Sequence, residues 1–378
     1  MRECTSPVGN NQAVYRGTLP RMLMVIFGAG ASFDSSPTYE VGTAAPRGDA
    51  NDAYNDYYRP PLAKDLFANR PLFIRAIDAF PQCKTIVSRL RDPMVLSGQV
   101  SVEALLQQIE SEAGTYPRGH RELFAVQCYL QHALTECQNR WAEVTRGITN
   151  YLSLLREIER THSGNQPVCL VTFNYDTILE DALRELGYGI NQLEDYADGP
   201  SLFRVFKLHG SINWAQRVSN PLPDAANLRD VRSILRCLIE EGAYLQISDR
   251  FVMCAPDKMG VVDRKPVFPA IAIPVEKKNK FACPASHLDR LTDMLPDVSK
   301  ILVIGWRATE AHFLALLKEH IRPGVRLSVV AGGPADAEQT RNRIRDTLGD
   351  KGLLDSFANG AGFTHFVRSG NAVAFLQR

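Results

Sequence analysis

MLMVIFGAGASFDSSP, residues 22–37, decides how the rest of the chain is read. An unbroken apolar run over 22–27 leads straight into Gly-Ala-Gly-Ala-Ser, and a carboxylate, Asp34, comes soon after. A short continuous apolar run bounded by glycine reads as a strand buried on both faces. Gly28 and Gly30 allow positive φ and let backbone amides approach a ligand closely. If a helix begins after Ala31, its unsatisfied N–H groups face the same point. A pyrophosphate suits such a cradle. Position 33, however, is Phe where the G-x-G-x-x-G pattern has its third glycine, so the stretch alone fits a phosphate cradle and a structural turn equally well.

The same kind of apolar run recurs at 168–173, 204–210, 251–256, 300–306 and 326–332, each closed at or just beyond its end by Gly, Pro or a polar residue. TILEDALRELGYG, with Gly187 or Gly189 as its stop, and EAHFLALLKEH read as helices between them. Strands alternating with helices of this length predict an α/β fold with a mostly parallel, doubly wound sheet, whose ligands bind at the carboxyl ends of the strands where strand order reverses. Residues 33–59 are rich in Gly, Pro, Ser, Asn and Asp and read as a long loop, a candidate lid. From PPLAKDLF (60–67) to about His162 the pattern is helical. Ser101 is placed as the N-cap of VEALLQQIESE, and one continuous helical stripe is expected over Arg121–His162, either an oligomer seam or a face packed on its own domain.

Composition narrows the function. With 43 basic and 42 acidic residues the formal charge is +1, so no global field draws the chain to nucleic acid or to an anionic membrane. The eight cysteines contain no C-x-x-C pair and read as small buried hydrophobes rather than as a zinc module. There is no secretory apolar segment near Met1 and no apolar run of about 18 residues, which together read as a cytoplasmic protein with reduced thiols.

The residues at the carboxyl ends of the strands form the candidate site: Gly28–Ser32, then Asn174-Tyr175-Asp176, then His209-Gly210-Ser211, then Gly305-Trp306-Arg307. Singly these are ambiguous. Asn174 and Asp176 also fit helix caps or an Asx-turn, and His209 also fits a structural role. Trp306 either stacks on a base or closes the core, and Glu276–Lys280 reads as a charged loop.

As an ordered set, GAGAS, TFNYD and KLHGS resemble the sirtuin superfamily, especially the sirtuin-like domains of bacterial antiphage defence; PPLAKDLF, PAIAIPVEKKNKF (269–281) and ILVIGW extend the resemblance over about residues 22–335. It implies a Rossmann-like NAD-binding domain formed by 21–66 and 166–378, an inserted helical lobe over 67–165, and an N-terminal arm over 1–20. Gly28, Ala29, Gly30, Ala31 and Ser32 would cradle the pyrophosphate, with Asp34 at the rim. Thr172, Asn174 and Asp176 would reach the nicotinamide ribose and amide. Gly305, Trp306, Arg307, Ala331 and Gly332 would line the adenosine side, and His209 would be the catalytic histidine. The four-cysteine zinc module and the Gly-Ile-Pro-x-Phe-Arg loop of protein-deacylating relatives are missing, so no metal is expected. The expectation is an NAD hydrolase depleting NAD in defence, with Asn174 and His209 as the essential pair. The alternatives are a noncatalytic NAD- or ADP-ribose-sensing assembly subunit and an NAD-dependent protein deacylase. The stretch after Ala331 is short for a separate sensor domain, so control is expected through homo-oligomerisation or a separately encoded partner such as a HerA-like ATPase.

Overall fold

The protein is described by a computed structural model over residues 22–37, 57–97, 99–113, 117–162, 166–199, 201–220, 230–242, 244–274 and 281–378. The expected arm over 1–20, most of the expected lid over 33–59, and the Glu276–Lys280 run lie outside the described residues. Among the described residues the strands are β1 (Met22–Phe27), β2 (Val168–Thr172), β3 (Phe203–Lys207), β4 (Gly210–Val218), β5 (Ile247–Met253), β6 (Val261–Val262), β7 (Lys265–Ile271), β8 (Val298–Ile304), β9 (Val325–Val330) and β10 (Leu353–Asn359).

Every residue of β1 and β2 is buried, which is how continuous apolar runs behave as inner strands of a sheet covered on both faces. Six strands form one sheet in the order β10-β9-β8-β1-β2-β3, with every neighbouring pair parallel. The chain winds outward from β1 to β3 on one side and from β8 to β10 on the other. The topological switch point is therefore the crevice between β1 and β8, where the expected doubly wound α/β architecture places a ligand. The helix after β2, Ile178–Glu185, stops at Gly187 (φ +86°). There the Gly187 and Tyr188 N–H groups close back on the Arg184 and Leu183 carbonyls in a Schellman motif.

Three sequence expectations are corrected. The run at 251–256 does not join the parallel sheet. Its first residues end β5, in a second sheet of order β5-β4-β7-β6 whose neighbouring strands are antiparallel. The run at 204–210 is not one strand: β3 ends at Lys207, and at Gly210, with φ +82°, the chain enters β4 of the other sheet. The stripe over Arg121–His162 is not continuous. Helix Pro117–Thr145 ends where Arg146 and Gly147 both take positive φ, and a new helix, Asn150–Thr161, starts with the Thr149 hydroxyl accepting from the Leu152 N–H at 3.2 Å. Ile148, placed on the stripe by its spacing, sits in that break and is 59% exposed.

The stripe serves two cores, and the change falls inside helix Pro117–Thr145, between Cys137 and Trp141. Leu123, Leu130, Leu134 and Cys137 pack with Phe73, Leu106, Leu238 and Phe268, between the helices of 71–145 and the antiparallel sheet. Trp141, Tyr151, Leu155 and Ile158 pack instead with β1, β2 and β8 around the parallel sheet. No helix among the described residues is long and apolar enough to cross a membrane. Cys83, Cys128, Cys137, Cys169, Cys254 and Cys283 are buried free thiols, as read from the sequence. Burial pushes those of Cys83 and Cys137 up to about 12, so they are inert packing groups.

Candidate active site

The loop after β1 meets the loop after β8 at very short range. Gly28 donates its N–H to the Ile304 carbonyl at 3.0 Å, and Gly30 donates to the Gly305 carbonyl at 3.1 Å. Gly28 has φ −120°, and neither it nor Gly30 uses the positive φ that glycine allows. Their glycine identity has another cause. A Cβ on Gly28 would lie 2.5 Å from Trp306 Cα, and one on Gly30 would lie 2.8 Å from Gly305 Cα. The left-handed backbone belongs to Gly305, at φ +64°. The amides of Gly28 and Gly30 are thus spent on the opposite loop. Ala29, at the first position of the short helix Ala29–Phe33, has no intrahelical acceptor for its own N–H and lines the cavity.

Asn174 is aimed by a buried polar cluster. Its Nδ2 donates to the Gly28 carbonyl and the Ser32 hydroxyl, both at 2.9 Å, and lies 3.1 Å from the Tyr151 hydroxyl. Since the Gly28 carbonyl can only accept, it fixes which end of the amide is nitrogen. The Ser32 and Tyr151 hydroxyls are also bonded to each other, at 3.0 Å. Behind the amide, the Asn174 N–H donates to the Thr172 hydroxyl at 3.1 Å. Ser32 therefore holds Asn174 as well as facing the cavity. Thr172, expected at the ribose, supports Asn174 from behind, and neither it nor buried Ala31 is on the cavity wall. Tyr151 reads as one apolar position of a stripe in the sequence; its partner Ser32 is 119 residues away, so nothing local marks it.

His209 stands at the junction of the two sheets. Leu208 donates to the Thr172 carbonyl and Ala272 donates to the His209 carbonyl, at 3.1 and 3.0 Å, so the backbone is tied to both sides. The next residue must be glycine, since a Cβ at 210 would overlap the Ala270 carbonyl. The imidazole is 7% exposed, edge-on to Phe173 with ring centroids 4.9 Å apart, and its Nε2 is 3.9 Å from Glu310 Oε1. Beneath the site, fully buried Lys207 pairs with Glu180 at 3.0 Å and donates to the Asp176 carbonyl. The Tyr196 hydroxyl donates to the same Glu180 oxygen at 3.0 Å. Burial pushes the Glu180 and Asp176 carboxyls up, and the nearby ammonium pulls them partly back. Asp176 lines the cavity, and its carboxylate accepts from the Ile178 N–H at 3.2 Å, the Asx-turn that the sequence allows, with Thr177 as the N-cap of the helix.

On the β8 side the Trp306 indole stacks on Phe173 at 5.1 Å and 10°, meets Phe313 edge-on, and donates Nε1–H to Glu310 at 2.5 Å. One face of the Trp306 ring thus closes the core, and the residue also lines the cavity. Arg307 is exposed at the cavity wall, with Ala331 and Gly332 after β9. Asp34 also contributes to the wall, but its carboxylate is not a free rim group. It accepts from the Thr364 N–H at 3.0 Å and hydroxyl at 2.6 Å, at the start of helix Gly362–Arg368, while Asn150 Nδ2 donates to the Asp34 carbonyl and to the Thr364 hydroxyl, both at 2.7 Å. Burial pushes the Asp34 carboxyl up despite these bonds.

Of the site residues expected from the sequence, all except Thr172 and Ala31 line one cavity of about 620 Å³, within the usual range for a cofactor or substrate site. Its far end is lined by Leu66, Ser101, Glu103, Leu134 and Gln138, residues without a sequence signal for a site. Among the described residues no group of three or more His, Cys, Asp or Glu side chains is arranged to hold a metal ion.

Residues 168–238, which include Thr172–Asp176 and His209, match the family model described as a SIR2-like domain. No curated protein matches the chain. Among solved structures it is similar to a triple mutant of a Sir2 homologue in complex with 2'-O-acetyl ADP ribose, at 15% identity and a TM-score of 0.36, over 93% of this chain and 92% of that one. It is also similar to a Sir2 variant with a deacetylated p53 peptide and 3'-O-acetyl ADP ribose, at 14% identity and a TM-score of 0.34, over 93% and 92% of the two chains.

Proposed function

We propose that the protein is an NAD hydrolase, cleaving the bond between nicotinamide and ribose to give nicotinamide and ADP-ribose. The observation that carries this reading is the convergence of the glycine loop, Asn174 and His209 on one cavity at the β1/β8 switch point. The SIR2-like match over 168–238 supports a nucleotide of the NAD type as the ligand.

In the reaction the glycosidic electron pair leaves with nicotinamide, which departs neutral, and the ribose carbon passes through an oxocarbenium-like state. Water adds its oxygen to that carbon and loses a proton. Asn174 Nδ2 is committed to Gly28, Ser32 and Tyr151, so its Oδ1 is the end that accepts from the water or a ribose hydroxyl. His209 takes the proton. Ala29 and the adjoining loop would face the pyrophosphate, and Gly305, Arg307, Ala331 and Gly332 the adenosine. The helix Ala29–Phe33 has five residues, so individual N–H groups rather than a macrodipole would make the anion contact.

The test is release of fluorescent product from etheno-NAD. Wild type is expected to turn over, with Asn174→Ala and His209→Ala lowered by about 100-fold or more. Equal rates in all three would remove the assignment. An NAD-depleting effector in defence must be restrained in the resting cell, so we place its control in self-assembly or a separately encoded ATPase partner. Light scattering with and without the neighbouring gene product, read beside activity, addresses that part; a monomer with constant activity in both would exclude it.

A further inference from the structure

We propose that Glu310 is the positioning residue for His209: its carboxylate, clamped by Trp306, orients the imidazole and stabilises the charge it gains on taking the substrate proton. This rests on the hydrolase reading of the same site. Among the described residues Glu310 accepts on its own side from Trp306 Nε1 at 2.5 Å and from the Thr309 hydroxyl at 3.3 Å, both to Oε2. The other oxygen, Oε1, is turned to His209 Nε2 at 3.9 Å. The division is informative, because one oxygen fixes the carboxylate to a core indole and the second is presented to the histidine. The indole cannot readily swing away, being stacked on Phe173, which itself meets His209 edge-on. The turn that delivers Glu310 has a backbone cost: Ala308, a buried non-glycine residue, takes φ +54°. Left-handed alanine persists where surrounding contacts impose it.

At 3.9 Å the pair is an electrostatic neighbour rather than a hydrogen bond. With side-chain exposures of 8% and 16%, solvent screens it only partly. Other charged and titratable groups among the described residues share this region. The Tyr175 ring lies 6.2 Å away with its hydroxyl donating to the Ala272 carbonyl, Lys207 is occupied by Glu180 and Asp176, Glu103 adds a second negative charge near Tyr175, and Arg307 and His312 share the cavity wall. A carboxylate beside an imidazole favours its protonated form. Removing the charge must therefore let His209 lose its proton at lower pH and leave the proton-accepting step less stabilised.

The experiment compares wild type with Glu310→Gln, whose amide oxygen still accepts from Trp306, using tryptophan fluorescence to confirm that the indole is unmoved. Glu310→Gln is expected to lower kcat about 10- to 100-fold with KM little changed, and to move the acid limb of the kcat/KM profile to lower pH. In parallel, the His209 ring proton is titrated by NMR without substrate, assigned by its absence in His209→Ala; its midpoint should fall in Glu310→Gln. An unmoved NMR midpoint overturns the proposal, as does a kcat within twofold of wild type. If wild type does not hydrolyse NAD, the hydrolase reading fails and the NMR titration alone decides the Glu310–His209 pairing.

Discussion

At the residue scale, the site depends on side chains whose partners are far away in sequence. Asn150 is the strongest example outside the chemistry. Its amide nitrogen donates to the Asp34 carbonyl and the Thr364 hydroxyl, and its N–H donates to the Ser35 carbonyl at 2.7 Å, so one fully buried residue ties the glycine loop to helix Gly362–Arg368. Asn150→Ala leaves two buried acceptors without a donor and should cost about 2–3 kcal/mol in chemical denaturation. A loss below about 0.5 kcal/mol would show that water replaces the amide. The sequence marks Asn174 and His209 because each lies just past a recognisable strand. It marks Gly28 and Gly30 as a possible ligand cradle but does not show the crowding by Gly305 and Trp306, which comes from the end of a strand far along the chain. Asn150, Tyr151 and Glu310 carry no mark at all, because a polar residue inside a helix or turn looks the same whether it faces solvent or a buried partner.

At the element scale, the strand β3 and the helix Ile178–Glu185 are joined beneath the site by Lys207 and Glu180, which are 0% and 3% exposed. Removing one member of a buried pair leaves the other charge uncompensated, so Lys207→Met should cost about 3–5 kcal/mol, while adding Glu180→Gln should recover much of the loss. The pH dependence has a definite sign. The Glu180 and Asp176 carboxyls are already pushed up by burial. A carboxyl raised in the folded state binds its proton more tightly there, so its contribution to stability is present at low pH and is lost as pH climbs through the raised value. Without Lys207 both rise further, so the deficit of Lys207→Met against wild type should narrow as pH is lowered from neutral toward the ordinary carboxylate range. A deficit independent of pH in urea titrations would mean that packing, not charge, dominates. The parallel strands β1, β2, β3, β8 and β9 and the helix stop at Gly187 were legible because continuous apolar runs and glycine act locally, whereas β10, an edge strand with no buried residue, carries no such run. The antiparallel sheet was not, since β4, β5 and β7 carry mixed burial and pair only through contacts between distant segments. The split of the 121–162 stripe escaped for a related reason. Its spacing continues through the break, and only the positive φ at Arg146 and Gly147 separates the two helices.

At the scale of the whole molecule, the cavity joins two hydrophobic cores. Leu66, Leu134 and Cys137 reach it from the core beside the antiparallel sheet, and Phe173, Ile304, Trp306 and Val330 from the core around the parallel sheet. A ligand filling it must couple their opening, because either core loosening removes part of the ligand's wall. ADP-ribose, which is not consumed, separates this coupling from turnover. At about 100 times its Kd it should add roughly 2.7 kcal/mol to stability, which for a chain of this size is a rise in Tm on the order of 5 °C. The location of the protection is the sharper measurement. Tryptophan fluorescence follows only the parallel-sheet core, since Trp141, Trp214 and Trp306 all belong to it. Hydrogen exchange across helix Pro117–Thr145 reports the other. ADP-ribose should slow exchange in the Leu130–Cys137 portion of that helix as well as in β1, β2 and β8, whereas nicotinamide alone, touching only part of the wall, should protect less. Protection confined to the strands would place the nucleotide on the parallel sheet alone and leave the far end of the cavity for a different occupant. Absence of protection in both regions at millimolar ADP-ribose would remove nucleotide binding from the switch point altogether.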